Sequence, residues 1–336
     1  MSFDFDAGVP LPHRMQPGLR RLAPGAVQLT PTAVPNRGLA RHLREKLAVL
    51  WAFRDQALLT TPGFDAGPAL RALASHAAAE HPQALQLVRG LVGGSAGGLV
   101  GDHWHAPGLG WALDADDQPH DIGTAWPEIG SLLREMPAVW RRAALLSLAF
   151  AEDFAVLDAA TGTLPWLAVA LPSMWAPELK IGRSFAEVHA PVADHRLIIG
   201  AAAQLMTLVS GPEKWERFVW TLTAHPRLHG HPQRVDPARW APGLDDDQLA
   251  AQTWWRTERQ TFIPVAAEAR AARQAVFTIL VQVTPLTQAF ETAAQAARVH
   301  DALASMSDAV LAYRGLTVTR PALLRWLARR AAGDAA

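Results

Sequence analysis

The chain has 336 residues, half of them hydrophobic, and its 31 basic and 31 acidic side chains cancel to a formal net charge of zero. Because there is no basic excess, we expect neither a nucleic acid nor a membrane surface as a partner. The absence of cysteine excludes disulfides, thiolate catalysis, iron–sulfur ligation and cofactor attachment through cysteine. The acidic N-terminus is unlike a signal peptide, and the longest apolar stretch, around residues 143–151, is too short to span a bilayer, so we expect a cytoplasmic protein.

The first 150 residues are predicted to be mostly helix and loop. Residues 1–36 are rich in Pro and Gly without a sustained period, which indicates an extended arm. Helical spacing of apolar residues then predicts helices over 39–58, 66–92 and 128–152. The second of these would end in the Gly cluster that begins at Gly90.

The remaining residues alternate between strand and helix patterns. Short apolar runs predict strands at Phe154–Leu157, Trp166–Leu171, Phe218–Thr223, Thr253–Phe262 and Ala275–Val283. Residues 177–210 are predicted to be helix and loop, and residues 286–314 and 320–332 to be helical. Two strands, a helical middle and three strands suit a five-stranded antiparallel sheet with helices across one face, as in a PAS-like domain.

We therefore predict an α+β fold with a single domain over residues 1–336. Residues 1–150 would form a mainly helical wrap, 151–285 a PAS-like core, and 286–336 C-terminal helices packed around it.

One candidate binding residue lies just before a proline. A short helix beginning near Ser184 would place Phe185 and His189 four residues apart on one face, and Pro191 requires it to end at Ala190. A neutral imidazole held in this way can bind a metal through one ring nitrogen. The alternative is a partly buried histidine that only hydrogen-bonds a carbonyl group.

The predicted strand Trp254–Phe262 carries charges on both faces. Arg256 and Glu258 alternate to one face and Arg259 to the other, and buried charges require partners. An arginine here could bind an anionic group and Glu258 a cationic amine. The same pattern also fits an exposed edge strand with its charges in water.

Three further patterns carry less specific signals. Glu152, with Asp153, could supply an acid or base, although capping or solvation is the better explanation of the pair taken alone. Gly93–Gly97 matches Gly-x-Ser-x-Gly but lacks the preceding strand that a hydrolase elbow requires. The His-x-His pairs at residues 103–105 and 229–231 are interpreted as surface loop histidines.

Four segments together resemble one known family. They are Pro12–Leu22; Glu152–Leu157; Leu171–Pro177 with Lys180, Gly182, His189, Pro191 and Val192; and Trp255–Phe262 followed by Val276–Ile279. Their order and spacing are similar to those of the haem-dependent oxidative N-demethylases over nearly the whole chain. The chain departs from the family pattern at Pro212–Trp215 and at Leu280–Val283, where polar groups differ.

The resemblance implies a haem-b enzyme that oxidises a methylated amine with O2 to the demethylated amine and formaldehyde. Electrons would come from separate flavin and iron–sulfur reductase subunits. By the same resemblance, His189 is expected to be the axial ligand of the haem iron, with Trp175, Lys180 and Phe185 near the cofactor. Arg256, Glu258 and Arg259 are expected to contact the haem propionates or the substrate, with Glu258 or Glu152 offsetting the charge of the amine.

Two other functions compete with this one. A haem-PAS gas sensor or haem carrier would bind the cofactor without turnover, and no kinase, cyclase or DNA-binding segment is recognised within the 336 residues. A hydrolase would show esterase activity without haem, and that activity would depend on Ser95.

Overall fold

The computed structural model describes residues 3–14, 16–33, 40–89, 102–123, 126–190, 199–265 and 273–333, and within them the strands form two antiparallel sheets. The strands are β1 (Arg20–Arg21), β2 (Leu58–Thr60), β3 (Gln86–Arg89), β4 (Asp102–Ala106), β5 (Trp111–Leu113), β6 (Pro119–Asp121), β7 (Asp153–Asp158), β8 (Thr163–Ala168), β9 (Trp215–Thr223), β10 (Trp254–Val265) and β11 (Gln274–Pro285). The predicted α+β class is therefore confirmed.

Helices connect and cover these strands. They are α1 (Phe5–Gly8), α2 (Ala40–Ala52), α3 (Arg54–Ala57), α4 (Gly67–Glu80), α5 (Pro127–Glu135), α6 (Ala138–Ala149), α7 (Phe185–His189), α8 (Ala202–Val209), α9 (Asp246–Ala251), α10 (Ala293–Ala304), α11 (Asp308–Tyr313) and α12 (Arg320–Ala331). Within the described ranges, none of them combines the length and the apolar character needed to span a membrane.

The larger sheet has seven strands in the order β1-β9-β10-β11-β7-β8-β2, so the predicted count of five was wrong. The five predicted strands are its five central ones. The two additional strands, β1 and β2, are only two and three residues long, which is too short for a period to show in the sequence. The centre of the sheet is β10, paired with β11 over its whole length and with β9 along most of it.

The N-terminal half contains more strand than the predicted helical wrap. Strands β3 to β6 form a second, four-stranded sheet between residues 86 and 121. The Ala-rich helix ends at Glu80 instead of residue 92, because His81 precedes a proline and has a non-helical backbone conformation. The predicted helix over 128–152 is divided at Pro137 into α5 and α6 for a similar reason.

Helices cover both faces of the large sheet, whereas the sequence predicted helices across one. We call the face that carries Arg217, Glu258 and Phe262 the front face; apolar residues of α7 and α8 pack against it. The back face carries Trp220 and Trp255, which pack against α10, α11 and α12. Because both faces are covered, β10 is buried from residue 255 to 263, and the alternative of an exposed edge strand is wrong.

The second sheet packs on α5 through one close contact between Trp111 and Gly130. A Cβ atom at Gly130 would lie 2.0 Å from two atoms of the Trp111 ring. The indole is also held in place, since its Nε1 donates a hydrogen bond to the carbonyl oxygen of Trp126 at 2.9 Å. Only glycine therefore fits at this position of the helix.

Gly130→Ala is expected to destabilise the protein by about 1–3 kcal/mol through overpacking, although helix propensity alone would favour alanine by about 1 kcal/mol. Chemical denaturation measures the change. The control Ser131→Ala, at an exposed position of the same helix, should change stability by less than about 0.5 kcal/mol. A stability gain in Gly130→Ala would show that Trp111 moves aside freely.

Candidate functional site

His189 lies on the last turn of α7, a short helix that is held at both ends. At its start, the Ser184 side chain accepts from the Glu187 N–H, and the Glu187 carboxylate accepts from the Ser184 N–H, which makes a capping box. Near its end, the Lys180 ammonium donates to the carbonyl oxygen of Val188 at 2.7 Å. Two predicted site residues, Lys180 and His189, are thus brought together.

The His189 ring is held in one tautomer. Its Nδ1 atom lies 2.8 Å from the carbonyl oxygen of Phe185. Because a carbonyl oxygen only accepts, Nδ1 carries the proton and Nε2 keeps its lone pair. Among the described residues, Nε2 has no hydrogen-bond partner. The Phe185 ring packs against the imidazole, with ring centroids 4.1 Å apart.

The charge state of His189 also suits a metal ligand. Burial lowers its pKa to about 4, helped by the positive charges of Arg217 and Lys180 and opposed by the hydrogen bond to Phe185. The imidazole is therefore neutral near pH 7. A neutral histidine with one nitrogen donating to a carbonyl group and the other free is the usual arrangement of a metal-binding histidine.

Beside His189, the front face of the sheet carries a small polar group. Arg217 on β9 lies opposite Gln260 on β10, and the Gln260 amide donates to the Glu258 carboxylate at 2.5 Å. Burial lowers the pKa of Arg217, and the negative charge of Glu258 opposes that shift. The Nε atom of Arg217 is buried and has no hydrogen-bond partner among the described residues.

Apolar side chains surround this polar group. Phe185 and Val188 pack against the front-face cluster that contains Phe262, and Trp175 contacts the same cluster. The predicted residues Trp175, Phe185 and Lys180 therefore lie in the same part of the molecule as His189. Residues 191–198, which include Pro191 and Val192 of the sequence motif, are outside the described residues.

Arg256 is on the front face, but its N–H groups donate to acceptors of the protein itself. Its guanidinium donates to the Ser173 hydroxyl at 2.8 Å and to the carbonyl oxygens of Pro172, Arg227 and Leu228 at 3.1, 2.9 and 2.6 Å. Burial lowers its pKa to about 10, so it stays charged near neutral pH. Arg256 joins two loops above the sheet, and it has little hydrogen-bonding capacity left for a cofactor or substrate.

Arg259 is not brought to the site. It points to the back face, where it forms an ion pair with Glu216 at 2.9 Å and donates to the carbonyl oxygen of Val27 at 2.9 Å. Glu216 is shared with Arg20 from β1. The geometry assigns Arg259 to holding the N-terminal arm on the sheet.

Glu152 belongs to a separate buried cluster. Its carboxylate accepts from the Thr30 N–H at 2.9 Å, and burial raises its pKa to about 7. The fully buried Lys46 donates to the carbonyl oxygens of Phe150 and Glu152 and pairs with Asp153 at 3.2 Å. These contacts fix the corner between α6 and β7, away from the groups that shift the pKa of His189.

Arg217 and Gln260 were not among the predicted site residues. A signal for Arg217 was present, since Glu216 and Arg217 interrupt an otherwise apolar strand in the same way as Arg256, Glu258 and Arg259 do. What the sequence lacked was the register that places Arg217 beside Gln260.

The two His-x-His pairs are not surface loop histidines. His103 and His105 lie on β4, while His229 and His231 are buried and stacked, with ring centroids 6.0 Å apart. Within the described ranges, no group of three or more His, Asp or Glu side chains is placed to hold a metal ion. The Gly93–Gly97 motif is outside the described residues.

Arg256→Lys is expected to destabilise the protein by about 1–3 kcal/mol, because an ammonium group cannot reach all four acceptors and leaves buried carbonyls without a donor. Chemical denaturation of the variant gives this value. The exposed Arg239 offers a matched control, and Arg239→Lys should change stability by less than about 0.5 kcal/mol. Equal stability of both variants would contradict the assigned role.

The raised pKa of Glu152 predicts a pH dependence of stability. Between the ordinary value of 4.5 and about 7, the folded protein binds more protons at this group than the unfolded chain does, so stability falls as pH rises through that window. Glu152→Gln mimics the protonated group and does not titrate. The stability of this variant relative to that of the natural protein should therefore be greater at pH 8 than at pH 5. Thermal unfolding at both pH values checks this, and a constant difference would contradict it.

A comparison with protein families identifies a family that the chain resembles. The model of the family described as haem-dependent oxidative N-demethylase, alpha subunit-like, matches residues 139–324. That range covers more than half of the 336 residues and includes His189, Arg217 and Glu258.

Proposed function

The chain belongs to the haem-dependent oxidative N-demethylase, alpha subunit-like family, and we propose that it is the haem-b subunit that removes a methyl group from a methylated amine. The reaction consumes the amine, O2, two electrons and two protons, and it releases the demethylated amine, formaldehyde and water. The observation that carries the proposal is His189, a half-buried neutral imidazole whose Nδ1 donates to a carbonyl group and whose Nε2 has no partner among the described residues.

The front face offers side chains of the kinds that would hold a haem group. The Nε2 atom of His189 would supply the axial bond to iron, and the apolar cluster around Phe262 and Trp175 would cover the flat macrocycle. Non-covalent haem b suits a chain without cysteine. We extend the proposal to a PAS-like core, made of the five central strands β9-β10-β11-β7-β8.

The side chains of the site supply binding and proton handling. When bound, the haem iron supplies the oxygen activation and electron transfer that amino-acid side chains cannot supply. Glu258, buried and held by Gln260, would offset the positive charge of a protonated amine and accept its N–H proton at a carboxylate oxygen. The surrounding apolar residues would exclude bulk water and strengthen that contact.

Electrons have to come from outside the chain. It contains no cysteine for an iron–sulfur cluster and no Gly-x-Gly-x-x-Gly motif for a dinucleotide. We therefore propose separate reductase subunits with flavin and iron–sulfur centres as its partners, in line with the alpha-subunit description of the family.

The histidine assignment is tested by absorption spectroscopy after haem supplementation. The natural protein should show a sharp Soret band that shifts on reduction and with carbon monoxide. His189→Gly should lose that spectrum and regain it when free imidazole is added, because the imidazole replaces the missing ring. The control His120→Ala, at an exposed position on another sheet, should behave as the natural protein does.

The reaction itself is tested by formaldehyde release from methylated amines, with O2 and a surrogate reductant. The natural protein should release formaldehyde, and both His189→Gly and Glu258→Gln should lose this turnover. A protein that binds haem through His189 but releases formaldehyde from no amine would contradict the demethylase proposal and favour a gas-sensing or haem-carrying role. A protein that binds no haem would overturn the proposal entirely.

A further inference from the structure

The three arginines on the long strands β9 and β10 differ in how their N–H groups are used. Arg256 donates to one hydroxyl and three carbonyl oxygens, and Arg259 is paired with Glu216 and Val27. Arg217, by contrast, forms no hydrogen bond or ion pair with any described residue, and its Nε atom is buried. A buried N–H group without an acceptor is costly, so the described part of the chain does not account for this Nε atom.

A second N–H group without an acceptor lies next to it. The indole Nε1 of Trp215 is also buried and has no partner among the described residues. Trp215 and Arg217 are alternate residues of one strand, so both side chains lie on the front face. Trp215 packs against the same apolar cluster as Phe185 and Val188 of α7. Two donors on one face are therefore without an acceptor among the described residues, and an anionic group could accept from both.

The electrostatic neighbours of Arg217 place this donor pair at the site. Its positive charge acts on His189 and is itself acted on by Glu258, although no ion pair with Glu258 forms. The Glu258 carboxylate accepts from Gln260 instead. No described residue therefore accepts from this guanidinium, and a ligand that approaches His189 could do so.

We propose that Arg217, assisted by the indole N–H of Trp215, binds a carboxylate group of the ligand that occupies the His189 site. The inference rests on the proposed function. A guanidinium matches a carboxylate in charge and geometry, and a charge-assisted pair is stronger than a neutral hydrogen bond. Two ligands of the proposed reaction carry this chemistry, namely haem through its propionates and an N-methylated amino acid through its carboxylate. In the second case, Arg217 and Glu258 would bind the opposite charges of a zwitterion.

The first experiment titrates the haem-free protein with haem and with haem dimethyl ester, in which both propionates are blocked. If Arg217 binds a propionate, Arg217→Met should weaken haem binding about 10- to 150-fold. The same substitution should leave binding of the dimethyl ester unchanged, and Arg217→Lys should restore part of the lost affinity.

The second experiment titrates the haem-loaded protein with N,N-dimethylglycine and with dimethylamine, and follows the Soret band. If Arg217 binds a substrate carboxylate, the natural protein should prefer dimethylglycine by about 10-fold or more, and Arg217→Met should lose that preference without any change in haem affinity. The control in both experiments is Arg239→Met, at an exposed position.

A third measurement does not depend on haem. Because the Nε atom of Arg217 is buried and has no acceptor among the described residues, Arg217→Met should raise the unfolding temperature of the haem-free protein, whereas Arg256→Met should lower it. A lowered unfolding temperature in Arg217→Met would contradict the description of Arg217 as unpaired.

The outcomes separate this inference from the proposed function. The carboxylate site would be overturned if Arg217→Met binds both haem and its dimethyl ester as tightly as the natural protein does and keeps the natural preference between the two amines. If haem binding still depends on His189 in that case, the demethylase proposal stands. Failure of the natural protein to bind haem would overturn both.

Discussion

The burial of β10 on both faces is the constraint on which the rest of the structure depends. The strand is paired on both sides, with β9 and β11, and is buried from residue 255 to 263 although it carries three charged side chains. A charge in such a place must meet an opposite charge or several hydrogen-bonding groups. The surrounding loops, the N-terminal arm and the candidate site are arranged around that requirement.

Each charge on β10 meets the requirement in a different way. Arg256 donates hydrogen bonds to four oxygen atoms in two loops and so fixes the segment that leads from β8 towards α7. Arg259 holds the N-terminal arm through Glu216 and Val27. Glu258 accepts from the amide of Gln260. Glu258 and Arg217 lie on the front face of the sheet, and the charge of Arg217 also acts on His189. Such a grouping of charged residues is typical of a binding site.

The proposed haem site would give a role to the polar groups on this part of the sheet. Another buried polar cluster is paired internally, since Lys46 contacts Asp153 and two carbonyl groups. That cluster stabilises a chain corner and needs no ligand. In the proposed site, the protein forgoes such pairing in order to provide a ligand nitrogen, a carboxylate and a guanidinium for external groups. The cost in folding free energy is expected to be recovered when the cofactor and substrate bind.

The local sequence determined the central strands β7 to β11, the short helix that presents His189 and the family of the chain. These features depend on neighbours in sequence: alternation of apolar residues, the Ser184 cap and the following proline. Only the tertiary structure decided that Arg217 faces the site and that Arg256, Arg259 and Glu152 are engaged elsewhere. It also added the second sheet and the edge strands β1 and β2. The physical reason is that a charged side chain gains its role from partners far away in sequence, and the strand register that brings those partners together is set by packing of the whole sheet.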